Sequence, residues 1–360
     1  MTTLDLPSPK LEAWRWADMS ALRAASGAAP HAAGVDPKSL FLDLPGPRLL
    51  FVDGAFEPAH SVPGRVKVGP IVSETAHALG GLAQGEGWAL ALTREQVEEV
   101  VQIVHLGSGG ESHVPAHIVM DEDSVASVVE TYAGNGWANR LTQITLARGA
   151  RLMRSVRLLQ AEGFVSLRDE AEIGEAASLV SIFLGVGGMG SRIDGALTLT
   201  GKGAFAEMGG ALLTRGEQKQ ECAVTVRHEA TDGSSRQIWR AVAADQSTAS
   251  LAARVEVARD AQKTDGEQSL RGLLLKRTAT VNLKPELEIF ADDVKCAHGA
   301  TVGELDKRAL FYLESRGIPE ARATALLTHA FVADALGRIG DEAVREAFAV
   351  DAESWLEAAL

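Results

Sequence analysis

The chain has 360 residues, 46% of them apolar and 23% charged, with a formal net charge of −13. That length can bury a large core or two to three domains, and the acidic balance argues against a nucleic-acid ligand or an anionic membrane surface, because no basic surplus exists to replace phosphate counterions. No uninterrupted apolar run reaches the ~18 residues of a membrane span, the opening MTTLDLPSPKLEAW lacks the segments of a secretory leader, and two cysteines make no disulfide framework, so a cytoplasmic protein is expected.

Residues 4–25 predict a short helix after a proline-bounded start, with Trp14 and Trp16 inside it. Residues 26–47, rich in Ala, Gly and Pro, suggest a flexible link. Short strand-like runs follow over 48–72 (LLFVDG, RVKVG), then a small helix or irregular segment over 75–92. Residues 1–95 thus form a mixed N-terminal region. The run TREQVEEVVQIVHL (93–106) fits two periods: Val97, Val100, Val101 and Val104 have helical spacing, while Val101, Ile103 and His105 alternate as in a strand.

From about 115 to 291 short alternating runs recur, among them AHIVM, LTQITLA, ALTLTG, CAVTVRH and LAARVEVA, separated by turns such as GNG, GKG and TDG. No amphipathic helix separates them, which excludes a doubly wound βαβ sheet. A coil of short strands stacked rung upon rung, or a large sandwich, satisfies the pattern. The absence of a fixed repeat period leaves both open.

Three clusters invite a chemical reading and decline it. Gly185-Val-Gly-Gly-Met-Gly190 spells GxGxxG, but strand and turn follow it where a dinucleotide site needs a helix N-terminus. His228, Asp232, Ser234 and Ser235 lie close together without the nucleophile elbow of a hydrolase, so His228 reads as structural. His113 and His117 have metal-like spacing, but Pro115 between them disfavours a helix. Cys222 alternates with Val224 and Val226 on a core-facing side and reads as a buried, inert thiol.

The stretch Asn282–Leu305 carries more. Pro285 suits a strand's first residue, and Leu287, Ile289 and Ala291 alternate after it. Asp292-Asp293 breaks the run, and Cys296 and His298 then stand two apart, which places a sulfur and a nitrogen on one face of an extended segment. Thr301-Val-Gly-Glu304 has the form of a capping box opening a helix. Beyond it three apolar stripes predict three helices: Leu305, Ala309, Tyr312 and Leu313; then Leu326, Leu327, Ala330, Phe331 and Ala335; then Val344, Phe348, Trp355 and Leu356.

The run KPELEIFADDVKCAHGATVGELD (284–306), followed by ALFYLESRGI (309–318), resembles the SufB/SufD family of iron–sulfur cluster assembly scaffolds. Lys295-Cys296-Ala297-His298-Gly299 falls on its SufD side, and Glu12-Ala-Trp-Arg-Trp16 and Ala261-Gln-Lys-Thr-Asp-Gly-Glu-Gln268 are similar to further family runs. The resemblance implies a mostly β chain, with a right-handed parallel β-helix over 96–302 that includes 93–106 as strand, and a C-terminal helical region over 303–360. It implies a non-enzymatic subunit that pairs with SufB through the β-helix and docks the ATPase SufC on the C-terminal helices. Leu305, Tyr312, Leu313, Leu327 and Phe331 are the docking candidates. It implies a nascent iron–sulfur cluster, transient and shared with SufB, with His298 as the essential ligand and Cys296 as auxiliary. No nucleotide is expected on this chain, and a homodimer of the isolated chain is left open. Two competing readings are an adaptor that only positions SufC and a β-helix enzyme acting on polysaccharides.

Overall fold

The computed structural model describes residues 6–8, 10–15, 17–31 and 34–359. Its strands follow from the sequence texture: β-branched and apolar residues alternate with polar ones for about ten positions, then a turn-forming residue reverses the chain. β1 (Arg48–Val52), β2 (Ala55–Phe56) and β3 (Lys67–Ile71) lead into β4 (Gly85–Leu92). Two long strands, β5 (Gln96–Met120) and β6 (Val125–Leu146), come next. The shorter ones are β7 (Arg151–Leu158), β8 (Glu162–Ile173), β9 (Ser178–Gly185), β10 (Gly190–Leu199), β11 (Phe205–Thr214) and β12 (Lys219–His228). β13 (Ser234–Ala243), β14 (Thr248–Val257), β15 (Asp265–Leu274), β16 (Thr280–Ile289) and β17 (Lys295–Glu304) complete the set.

From β7 to β15 every strand pairs in parallel with the strand two places ahead. One sheet runs β7-β9-β11-β13-β15-β17, the other β8-β10-β12-β14-β16, and β5 and β6 contribute one half to each. This is a parallel β-helix, which pairs each strand above and below and leaves free edges only at its ends. β1 and β4, which precede residue 96, already pair in parallel with β5.

One corner of the coil repeats as a ladder. Asp123, Gly149, Ala176, Gly203, Asp232 and Lys263 all have φ between 50° and 70°. Each donates its N–H to the next turn's carbonyl: Asp123 to Arg148 at 3.0 Å, Ala176 to Lys202 at 2.9 Å, Asp232 to Gln262 at 2.9 Å. Successive members are 26, 27, 27, 29 and 31 residues apart. The turn is therefore a structural repeat without a fixed sequence period.

Inside the coil the stacked columns are mainly apolar, with Trp239 fully buried and stacked on Phe183 at 6.0 Å between ring centroids. Buried charges sit in a hydrogen-bonded group: Arg154 donates to Glu130 at 2.6 Å and to Asp169 at 2.5 Å, and the Tyr132 hydroxyl donates to Glu130 at 2.7 Å. Removing one partner of such a group strands a charge and costs about 3–5 kcal/mol.

The two sheets are covered differently outside. α1 (Met19–Ser26) packs with Trp14 against Trp137 and Phe164 of the β8-containing sheet. At the other end of the chain follow α2 (Lys307–Ser315), α3 (Glu320–Leu336) and α4 (Glu342–Ala359). α3 and α4 bury Val332, Leu336, Phe348, Trp355 and Leu356 on Ile182, Leu184, Leu213 and Val242 of the other sheet. Three ion pairs pin them there: Arg338–Glu207, Arg157–Asp351 and Arg240–Asp334. Among the described residues no helix is long and apolar enough to cross a membrane.

Several sequence expectations need correction. Residues 12–14 form a single 3-10 turn and the helix starts only at Met19, where Asp18 accepts the N–H groups of Ser20 and Ala21; Trp16 lies outside the described residues. The supposed link contains a 3-10 turn at Pro37–Leu40, after which the Gln102 amide clamps the backbone of Leu42. The second half of the 75–92 segment, Gly85–Leu92, is strand β4, because Trp88, Leu90 and Leu92 alternate into the core. The β16 strand begins at Thr280, so Pro285 sits in its middle, which an edge strand tolerates because a missing N–H there costs no ladder bond. Thr301–Glu304 is no capping box. It continues β17, Glu304 accepts from Arg277 at 2.8 Å, and Asp306 caps α2 through the Arg308 N–H. On α3 the inward side is Ala323, Thr328, Val332, Ala335 and Leu336, which leaves Leu326 and Ala330 exposed.

Candidate functional site at the open end of the coil

The coil ends on β16 and β17, each paired on one side only, with β14 and with β15. Strand alternation decides which side chains enter the mouth. In register, Gly266, Gln268 and Leu270 of β15 stand beside Cys296, His298 and Ala300 of β17; all three β15 residues are buried. Cys296 and His298 therefore continue columns that run up the inside of the coil, and no further rung covers them among the described residues. Across the mouth, β16 presents Val281, Leu283 and Leu287 from the same kind of position.

The two candidates differ in setting. Cys296 is half-buried and packs near Leu287, Val294 and Ala261. Burial pushes its thiol up, opposed by a backbone hydrogen bond at Gly266. His298 is exposed, and its ring makes no hydrogen bond among the described residues. Together they offer one soft sulfur and one imidazole nitrogen, a set suited to iron and to iron–sulfur species. The described residues hold no group of three or more His, Cys, Asp or Glu placed to bind a metal ion. Free strand edges about 33 Å long flank it, with Phe290 61% exposed at the rim.

The other motifs sit elsewhere. Cys222 is sealed within the coil, 1% exposed, and burial drives its thiol pKa far upward. His228 is fully buried, shares a 2.9 Å hydrogen bond with Ser235 Oγ, and is pushed down to about 4 by burial. His113 and His117 lie in β5 and are engaged separately: His113 packs edge-on against Trp137, and His117 bonds Ser73 Oγ at 3.0 Å. The GxGxxG run is a tight corner between β9 and β10, where a Cβ on Gly187 would meet the Gln160 carbonyl at 2.3 Å. Arg192, just beyond it, is bound by Asp194 and Glu221.

Beside the mouth, Leu305, Leu327 and Phe331 line one cleft of about 350 Å³ between the end of β17, α2 and α3. Tyr312 and Leu313 do not reach it. Tyr312 stands on the outer surface, 57% exposed, beside Phe311 at 72%. α2 buries none of its residues completely. Phe311 escaped the sequence reading because it falls between two stripe positions.

Comparison with known proteins places these features in one group. Residues 90–331 match the family described as SUF system FeS cluster assembly, SufBD core domain. The chain is 28% identical to the iron–sulfur cluster assembly protein SufD of Escherichia coli, over 95% of this chain and 87% of that protein. It is 30% identical to the chloroplastic protein ABCI7 of Arabidopsis thaliana over 64% of this chain and 50% of that one. With the SufD of Bacillus subtilis it shares 25% identity, over 74% of this chain and 63% of the relative.

Proposed function

Because the chain belongs to the SufB/SufD family of the SUF iron–sulfur cluster assembly system, we propose that it is a scaffold subunit whose open coil end meets SufB and there supplies His298 and Cys296 to a nascent cluster. The observation that carries this reading is the position of the pair: inward-facing, on the last rung, one thiol and one imidazole with no covering strand among the described residues. An edge strand is a template for another chain's backbone, so a sister subunit would complete the hydrogen-bond ladder and the coordination set together.

The chemistry asked of this chain is modest. His298 binds iron through one neutral ring nitrogen, and Cys296 binds as thiolate, releasing its proton on coordination. Burial in the mouth excludes water around the cargo once the partner is docked, and the half-buried thiol is kept protonated until metal arrives. This chain contributes no nucleotide site to that scheme. The ATPase SufC would dock on the cleft of Leu305, Leu327 and Phe331 and the apolar surface of Phe311 and Tyr312, next to the end of β17. Movement of α2 would then be felt directly by the ligand-bearing strand, since only Leu305 and Asp306 separate them.

The test is His298→Ala in the purified complex with SufB and SufC. Complex assembly stays intact, while iron and acid-labile sulfide fall to background. Normal cluster yield from that variant overturns the ligand assignment.

A further inference from the structure

The column that ends in His298 is polar for three successive rungs. Gln237 of β13 pairs in register with Gln268 of β15, and Gln268 with His298 of β17. Both glutamines are buried, at 0% and 1% exposure. Each sends its side-chain Nε2 across the coil to a carbonyl of the facing sheet, Gln237 to Arg254 O at 2.9 Å and Gln268 to Glu286 O at 3.2 Å. Those bonds fix which end of each amide is oxygen. Both oxygens, Gln237 Oε1 and Gln268 Oε1, are buried and have no hydrogen-bond partner among the described residues.

A buried carbonyl left without a donor is costly, and native interiors seldom leave one. For Gln268 a donor stands one rung away. In-register neighbours of a parallel sheet lie about 4.8 Å apart and point the same way, and the His298 ring, unbonded and exposed, is free to turn. A histidine that binds metal commonly donates its other N–H to a fixed acceptor, which sets the tautomer and the ring orientation.

We propose that Gln268 is a positioning residue for His298: its buried amide oxygen accepts the N–H of one ring nitrogen and leaves the other, unprotonated, facing the mouth. The inference rests on His298 being a cluster ligand, and it adds the device that presents the ring in one tautomer before any metal or partner arrives. Gln237, one rung deeper, has the same amide arrangement but no contact with β17, so it is the internal control.

The experiment is a long-range ¹H–¹⁵N spectrum of the ¹⁵N-labelled full chain at alkaline pH, with His298 assigned from its absence in His298→Gln. The wild type shows one dominant tautomer, and Gln268→Met shifts the tautomer ratio by about fivefold, the worth of one net hydrogen bond. Gln237→Met leaves the ratio unchanged. An unchanged His298 signal in Gln268→Met overturns the proposal, as does an equal change in Gln237→Met, which marks a loosening of the coil instead. A tautomer that responds to Gln268 in a chain whose His298→Ala variant still builds clusters refutes the ligand reading alone and leaves the hydrogen bond standing.

Discussion

The middle turns and the last turn of the coil hold the same pair of chemical groups, and the rung decides what each can do. Cys222 and Cys296 both point inward from a strand, as do His228 and His298. In the middle, rungs above and below remove water. Cys222 is held as a thiol, and His228 is kept neutral with one bond, to Ser235, while its Nδ1 is left bare. On the last rung the covering strand is missing, so Cys296 is only half-buried and His298 stands open. Burial makes the first pair structural, and its absence makes the second pair available. The same contrast separates α3 and α4, which three ion pairs and an apolar face hold to the coil, from α2, which buries no residue.

The widest gap is expected in thiol reactivity. Alkylation by iodoacetamide, followed on the two cysteine peptides by mass spectrometry, modifies Cys296 in the folded chain at least about 10³-fold faster than Cys222, because Cys222 reacts only when the coil opens. In denaturant the two rates converge. Similar rates in the native chain would erase the distinction between the rungs.

His228 sharpens it through pH. Folded His228 stays neutral down to about 4, whereas an unfolded imidazole titrates near 6.5. Between those values the unfolded chain takes up the extra proton, so this group's contribution is whole above about pH 6.5, shrinks as pH falls, and is gone below about 4. The window corresponds to at most about 3 kcal/mol. Denaturation midpoints measured from pH 7 to 4.5 should fall less steeply in His228→Gln than in the wild type. Glu221, raised to about 7 by burial against the pull of Arg192, acts in the opposite direction in both proteins and cancels in the comparison. An equal slope in His228→Gln and the wild type would show that the middle turns do not seal this ring from water.

Much of this contrast was legible in the sequence, for identifiable reasons. Alternation is local, so the strands, the inward side of Cys222 and the shared face of Cys296 and His298 follow from spacing alone. Pro285 in mid-strand is itself the mark of an edge, although the sequence reading took it for a beginning. The coil's turn was not legible as a period, because its corners are spaced from 26 to 31 residues and the left-handed position is filled by Asp, Gly, Ala or Lys. The Thr301–Glu304 capping box misled because the same letters suit an exposed strand, and the true cap, Asp306, lies two residues past it. Least visible were the interior polar contacts. Arg154 finds Glu130 and Asp169 only through the stacking of turns, and Gln268 comes into register with His298 the same way.

The smallest expected effect tests packing. Gly195 and Gly266 both point inward with ordinary extended backbone, so an added Cβ is judged by the space it meets. At Gly195, in the sealed turns, it would meet Met208 Sδ at 2.5 Å and Cε at 3.0 Å, and Met208 is fully buried with nowhere to retreat. Gly195→Ala should cost about 1–3 kcal/mol, as overpacking does. At Gly266 the nearest atom is Cys296 Sγ at 3.3 Å, then Val255 Cγ1 at 3.4 Å. The thiol sits on an edge strand and can yield by a few tenths of an ångström. The backbone entropy removed from the unfolded chain then offsets the contact, and Gly266→Ala should stay within about 1 kcal/mol of the wild type. Urea midpoints of the two variants measure the difference. If Gly266→Ala loses as much as Gly195→Ala, the mouth is packed as tightly as the interior, and Cys296 lacks the freedom to turn toward a shared metal.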